Sequence, residues 1–471
     1  MDFEKSKKFL IQLGLIYWIL VIMIYVAAGS QFKYILSTSD ALSANAVIRE
    51  LVDEETVTQK LNSPANSLST IEVMTVTYGR ENNCRINFEL SNESGEIIAN
   101  QSIACSEIQD NTYTTVNLNE VKDVNCGETL TLSITSQGAT SGNAIGLYYG
   151  NSVNDYYQIN GEVGLGSLCV RVSGIKYLNF YKTYWLITIG LFTVLALYTS
   201  HGFKQAKKGK NSYIRAICML HNKYSFLLKQ LVSRDFKTKY KRSVLGMAWS
   251  FINPLLTMSV QYIVFSTIFK SDTPNYPVYL LTGVVFYNFF TDAVNQGLIS
   301  ITSNAALIKK VYVPKYIYPT SKLFSSLINL GLSLIPLVLV MIITGTQFKI
   351  SLLLLIFDII CLSMFVLGMM LLLATSMTFF QDTQFLWGVV SMIWMYFTPL
   401  FYTENIIPSK MLTIFHMNPM YQYITFARTC IINGISPEPL SYLWCLISAV
   451  IVLALGLYVF KKNQDKFVLY I

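Results

Sequence analysis

Long apolar runs set the pattern of this chain, broken once by a region of short alternating segments. The first run, Phe9–Gly29 (FLIQLGLIYWILVIMIYVAAG), is long enough to cross a bilayer, which takes about 20 residues of helix. Lys5, Lys7 and Lys8 precede it, as they would a secretory signal, but the run exceeds the roughly 7–15 residues of a signal core. It predicts an uncleaved anchor with a cytoplasmic N-terminus. A second run, Leu178–Ser200, ends on the basic HGFKQAKKGK. Six more spans are predicted near Val244–Phe269, Tyr276–Leu298, Thr320–Gly345, Ile350–Thr378, Gln384–Tyr402 and Tyr442–Phe460.

The region between the first two runs changes period. CRINFELS (Cys84–Ser91) puts Ile86, Phe88 and Leu90 on one face, and TLTLSITS (Thr129–Ser136) does the same with Leu130, Leu132 and Ile134. IEVMTVTYG, GEIIANQS, TYTTVNLN and AIGLYYG are further short strand candidates between turn-forming Gly, Asn, Asp and Ser. Many short alternating strands predict a β-sandwich or jelly roll. The fold class expected is therefore a multi-pass α-helical membrane protein, six core spans plus two N-terminal anchors, with an extracytoplasmic all-β, jelly-roll-like sandwich. Its parts are a tail and first anchor over 1–30, the sandwich over 31–176, the second anchor over 177–200, a basic linker and interface helix over 201–243, and the six-span domain over 244–471.

Composition agrees. Of 471 residues, 13% are charged and 53% hydrophobic, against about 25% charged in soluble domains. The net charge of +8 collects at the ends of apolar runs, which is a pattern of membrane orientation and not of nucleic-acid binding. Basic IKKVYVPKYIYPTSK and KKNQDK alternate with Lys-poor TGTQFKI and KSDTPNYP, which places both termini in the cytoplasm. The eight Cys divide between the polar region (Cys84, Cys105, Cys126, Cys169) and the apolar ones. Their pairing cannot be read from spacing. With no CxxC and three His, a metal site is not expected.

The basic segment before the first core span, SRDFKTKYKRSVLGMAWSFINPLL, sets Arg234, Lys237, Lys239, Lys241 and Arg242 ahead of Trp249, Asn253 and Pro254. Anchoring to anionic headgroups accounts for part of such a collar, at about 1 kcal/mol per charge. It does not account for the Trp, Asn and Pro that follow. That stretch, then NAALIKKVYVPKYIYPTSKL, then FFQDTQ, YFTPLFY, IIP and MNPMYQY, resembles the membrane subunit of type-2 ABC exporters, and among them the branch that moves O-antigen, teichoic acid and related polysaccharides. The resemblance runs from about Ser233 to the C-terminus, so the N-terminal 200 or so residues are an addition to the short members of the family.

The resemblance implies a homodimer served by two copies of a separate ATPase that carries the ATP and Mg, with no cofactor and no catalytic residue on this chain. The chain offers no GxxxxGK[ST] phosphate loop. The loop between the second and third core spans, with Asn304, Leu307, Ile308, Lys309, Lys310, Val311, Pro314 and Lys315, would dock the ATPase. The substrate implied is a lipid-linked polysaccharide, taken from among membrane lipids at the plasma membrane of a bacterium.

Aromatic faces let sugars slide without gripping one hydroxyl pattern. Tyr262, Phe286, Tyr287, Phe290, Trp394, Tyr396 and Phe397 are candidates for a channel lining, against ordinary packing or lipid contact. Thr403–Glu438 is apolar enough to dip into a leaflet, and the resemblance makes Pro408, Asn418 and Pro419 hinges of an outer gate. Asp292 and Asp358 lie inside spans and are expected to hydrogen-bond between helices. In the β region Tyr148, Tyr149, Tyr156 and Tyr157 crowd beside Asn154 and Asp155, which offers glycan contact or an assembly role. The rival readings are an ABC exporter of a small hydrophobic drug or lipid, a membrane-anchored carbohydrate-binding protein, and a glycosyltransferase, for which no DxD-like acidic metal site is seen.

Overall fold

A computed structural model describes residues 3–39, 42, 44–121, 124–151, 156–178, 180–208, 218, 223–240, 246–269, 275–311, 313–402 and 409–470. The chain forms two compact units, one of Phe32–Tyr184 and one of Met1–Gln31 with Trp185–Ile471.

Among the described residues the first unit holds thirteen strands: β1 (Tyr34–Thr38), β2 (Ala46–Val47), β3 (Thr56–Asn62), β4 (Ser67–Val76), β5 (Arg85–Ser91), β6 (Ile97–Ala104), β7 (Thr112–Val121), β8 (Thr129–Gln137), β9 (Gly146–Gly150), β10 (Gln158–Ile159), β11 (Glu162–Val163), β12 (Ser167–Leu168) and β13 (Val170–Tyr177). They make two antiparallel sheets. One contains β1-β13-β4, with β7, β9, β2 and β12 joined to it; the other runs β11-β10-β3-β8-β5-β6. The alternation seen in the sequence does the packing: Ile86, Phe88 and Leu90 on β5 and Leu130, Leu132 and Ile134 on β8 are all at most 2% exposed. Register pairs Phe88 with Ile134 and Leu90 with Leu132, so the two strands present one apolar face. Cys84 and Cys105 form a disulfide beside this core, whereas Cys126 and Cys169 are free thiols, exposed and buried respectively.

The second unit is helical: α1 (Phe3–Ala28), α2 (Phe180–Lys207, which begins in the first unit), α3 (Ser225–Tyr240), α4 (Trp249–Phe269), α5 (Tyr276–Leu298), α6 (Ala305–Lys310), α7 (Ile317–Ile343), α8 (Leu355–Phe379), α9 (Thr383–Tyr396), α10 (Ser409–His416), α11 (Pro419–Arg428), α12 (Pro439–Asn463) and α13 (Phe467–Tyr470). Among the described residues, six helical segments are long and apolar enough to cross a membrane: those built on α1, α2, α5, α7, α8 and α12. One of the eight expected spans differs. Helix α4 has 21 residues, whereas α9 has only 14, about 21 Å of helix. The chain beyond Tyr396 leaves the helix and runs on as a turn.

Small residues let the helices approach. A Cβ on Gly368 of α8 would meet backbone atoms of Val452 on α12 at 2.5 Å, and one on Gly456 would meet the Gly368 carbonyl at 2.4 Å. Such close backbones are a usual device of helix packing in membranes. The two N-terminal helices meet through aromatic rings, Tyr17 and Trp18 against Phe192 at 5.4 and 5.2 Å.

Candidate functional site

Three arrangements in the helical unit carry polar chemistry. The first is the loop between α5 and α7, where docking of an ATPase is expected. Helix α6 is short and would not hold its shape alone. It is rooted instead: Ile308 is buried in a cluster with Leu231, Ile301, Ile317, Tyr318, Phe460 and Phe467, and Leu307 packs against the same cluster. Asn304 is buried, donates to the Ser300 carbonyl at 2.8 Å and accepts from Arg234 at 3.3 Å. Lys315 donates to the Gln464 carbonyl and lies 5.8 Å above the Phe467 ring; burial pushes its ammonium below the ordinary lysine range. Lys309, Lys310 and Val311 are left exposed, and Pro314 is half-buried. Of the eight loop residues singled out from sequence, three therefore face outward, and most of the others fix them to the helix bundle.

The second is the basic helix. Arg234, Lys237 and Lys239 lie on α3, which packs against α7 through Leu231 and Leu228 with an ion pair between Lys322 and Asp235 at 2.9 Å. Lys241 and Arg242 lie outside the described residues. Lys239 reaches Asp292 on α5 at 3.1 Å, and Asp292 also accepts from Gln296 at 2.9 Å and Ser326 at 3.4 Å. Asp292 thus makes the interhelical bonds expected of it. Asp358 does not: it is fully buried and neither oxygen has a hydrogen-bond partner. Behind the Lys239–Asp292 pair opens a cavity of about 560 Å³, walled by Trp249, Asn253 and Pro254 of α4 and by faces of α5 and α7.

The third is the turn after α9. Non-helical backbone among apolar segments persists where protein satisfies it, and five carbonyls of this turn have side-chain donors. The Phe397 carbonyl accepts from Asn418 at 2.9 Å, Pro399 from Arg428 at 2.7 Å, Leu400 from Arg428 at 3.0 Å, Phe401 from Tyr276 at 2.6 Å and Tyr402 from Tyr279 at 2.8 Å. Arg428 is 7% exposed, with its guanidinium 3.4 Å from the centre of the Tyr279 ring. Asn418 also caps α11 by accepting from the Met420 amide at 3.0 Å, and accepts from the Trp394 indole at 2.8 Å. Pro419 is the first residue of α11, where its missing N–H costs nothing. Pro408 lies outside the described residues. Arg428, Tyr276 and Tyr279 were not among the sequence candidates.

The remaining candidates separate. Phe286, Tyr287 and Phe290 are buried; Phe290 contacts Tyr287, Trp387 and Trp394 at 5.8, 6.1 and 5.4 Å, and Tyr287 donates to the Ser391 carbonyl at 2.8 Å. They form an aromatic core within one chain. Tyr262, Tyr396 and Phe397 are exposed. In the sandwich, Tyr149 and Tyr157 pack on one another at 5.3 Å and against the core, while Tyr148 donates to Asn111 at 2.5 Å and Tyr156 is exposed. Tyr148 and Tyr149 are adjacent on β9 and face opposite ways, and Tyr157 is buried where Tyr156 is exposed, so the four rings form no common platform. Asn154 and Asp155 lie outside the described residues, and no group able to hold a metal occurs among the described ones.

Residues 227–432 match the family model described as "ABC-2 type transporter". The chain is 29% identical over 247 residues to the O-antigen export system permease protein RfbA of Klebsiella pneumoniae, covering 51% of this chain and 93% of that protein. It is 27% identical over 247 residues to the protein of the same name from Myxococcus xanthus, covering 52% and 95%.

Proposed function

We propose that the chain is a type-2 ABC exporter permease and that it moves a lipid-linked cell-envelope polysaccharide, of O-antigen or teichoic-acid kind, across the cytoplasmic membrane. The observation that carries the substrate class is the similarity to O-antigen export permeases along nearly their whole length. A separate ATPase, two copies on a homodimer of this chain, would bind ATP and Mg and press on Lys309, Lys310 and Val311. The rooting of α6 through Ile308 and Asn304 supports this, because a push on a rigid helix passes into α7 and α3. Both termini would be cytoplasmic, with the Lys239 end of the bundle on that side and the 397–402 turn at the outer mouth. The Lys-rich loops support that orientation.

The sandwich would then stand outside the cell. The order β1-β13-β4-β7 in one sheet and β3-β8-β5-β6 in the other supports a jelly roll, a fold frequent among lectin-like modules. Its contact with the glycan would be made by surface groups such as Tyr148 and Tyr156. Purification of the chain with its ATPase tests the reading: hydrolysis should require both proteins and rise with lipid-linked glycan. An ATPase that neither binds the chain nor responds to glycan would overturn it.

A further inference from the structure

The cavity behind Lys239 is built from three polar stripes that hydropathy averages away. On α5, Asn288, Thr291, Asp292 and Asn295 follow the spacing i, i+3, i+4, i+7 and so lie on one face. Asn288 is exposed in a stretch, Leu281–Phe290, whose other members are all buried. On α7, Ser326, Asn329 and Ser333 repeat at i, i+3, i+7, and on α4 Trp249 and Asn253 stand one turn apart. All nine line the same cavity. Amides and hydroxyls inside apolar helices are costly, and they mark a site by default.

The lining chooses between ligands. Among the described residues its charged ones are Lys239 and Asp292, and they pair at 3.1 Å, so these two bring no net charge toward a guest. A diphosphate would bring two or more negative charges to a wall whose one described cation, Lys239, is already paired with Asp292. A sugar ring suits it: amide oxygens accept from hydroxyls, amide N–H groups and Ser or Thr hydroxyls meet the ring oxygens, and the Trp249 face stacks on C–H groups. Trp387 donates to Asn295 Oδ1 at 2.9 Å, which fixes that amide and turns its N–H pair away from the indole. The volume, about 560 Å³, falls within the roughly 300–1,000 Å³ of ordinary small-molecule sites.

We propose that this cavity, within a single chain, is a binding site for an uncharged pyranose unit, held by Asn288, Asn295, Asn329 and Ser333 with Trp249 as its stacking face. The proposal rests on the polysaccharide reading above. It assigns recognition of a sugar residue to this cavity rather than to the lipid diphosphate.

The test is saturation-transfer NMR on the full chain in lipid nanodiscs, with the methyl glycosides of glucose, galactose, mannose, N-acetylglucosamine and rhamnose, and with inorganic pyrophosphate as competitor. At least one glycoside should receive saturation, pyrophosphate should not displace it, and Asn288→Leu should weaken it at least tenfold. Asn329→Ser, a smaller polar change, should weaken it less and guards against misfolding of the first variant. Absence of transfer from every glycoside, transfer unchanged in both variants, or displacement by pyrophosphate would each overturn the proposal. Glycan-stimulated hydrolysis with the ATPase, measured on the same preparation, separates this failure from failure of the exporter reading: stimulation without sugar binding sinks only the cavity.

Discussion

Arg428 donates to the Pro399 carbonyl at 2.7 Å, joining the end of α11 to a turn 29 positions earlier in the chain. That turn follows α9, whose helix stops at Tyr396. The guanidinium does the work that helical hydrogen bonds would have done, since its planar fork reaches two carbonyls at once.

Removing it should be costly. Arg428→Met strands the Pro399 and Leu400 carbonyls, and each unsatisfied buried group costs about 1–3 kcal/mol. The variant should melt well below the parent in detergent, followed by the loss of helical circular dichroism. Arg428→Lys should recover little of the loss, because one ammonium cannot reproduce the fork.

Asn418 is a hub whose amide serves four partners: the Trp394 indole, the Phe397 carbonyl, the Thr398 hydroxyl and the Met420 amide. Asn418→Ala should lower stability by about 1 kcal/mol for the cap alone and reduce glycan export further, since the turn and α11 would no longer move together. Asn418→Asp keeps both acceptor roles, so its shortfall in export, read on cell-surface glycan, reports the two bonds the amide donates, to Phe397 and Thr398.

The loop proposed to dock the ATPase divides into a surface and a root. Lys309→Glu with Lys310→Glu should leave melting unchanged and abolish glycan-stimulated hydrolysis by the ATPase. Ile308→Ala should do the reverse in order of effect, destabilising the bundle by about 2–5 kcal/mol as a large-to-small change in a packed cluster. Equal loss of stability in both variants would contradict that division.

In the sandwich, the Thr77 amide donates to Asp110 at 2.6 Å and its hydroxyl donates at 3.0 Å, holding the carboxyl below the usual aspartate range. A depressed folded value means stability present above the unfolded value and lost as pH falls through the folded one. Hydrogen exchange in the full chain should therefore quicken around residues 77–80 and 108–112 as pH drops below about 4, after correction for the intrinsic rate. Asp110→Asn should remove that dependence.

Much of this architecture was legible because hydropathy and alternation are local. Cys84–Ser91 and Thr129–Ser136 form strands with the predicted residues inward, and the long apolar runs became helices. What escaped depends on tertiary contact or on a period hidden by averaging. Arg428 reads as one cation in an apolar segment until the turn at 397–402 comes beside it. The Asn288–Asn295 stripe sits within a run that any windowed hydropathy counts as a span. The length of α9 escaped for the same reason, since Gln384–Tyr402 is apolar throughout while its last residues are held by side chains from α5 and α11. The channel aromatics were chosen by type, but facing is set by packing, which put Phe286 and Phe290 inside and Tyr396 outside.

The central claim is that this chain carries glycan outward across the membrane. It is tested most directly by deleting its gene from the cell that makes it and detecting the envelope polysaccharide with antibody on intact and permeabilised cells. The account predicts glycan that is still made but seen only after permeabilisation, with surface display restored by the parent chain and not by the Lys309→Glu, Lys310→Glu double variant. Undiminished glycan on intact cells lacking the chain would contradict it.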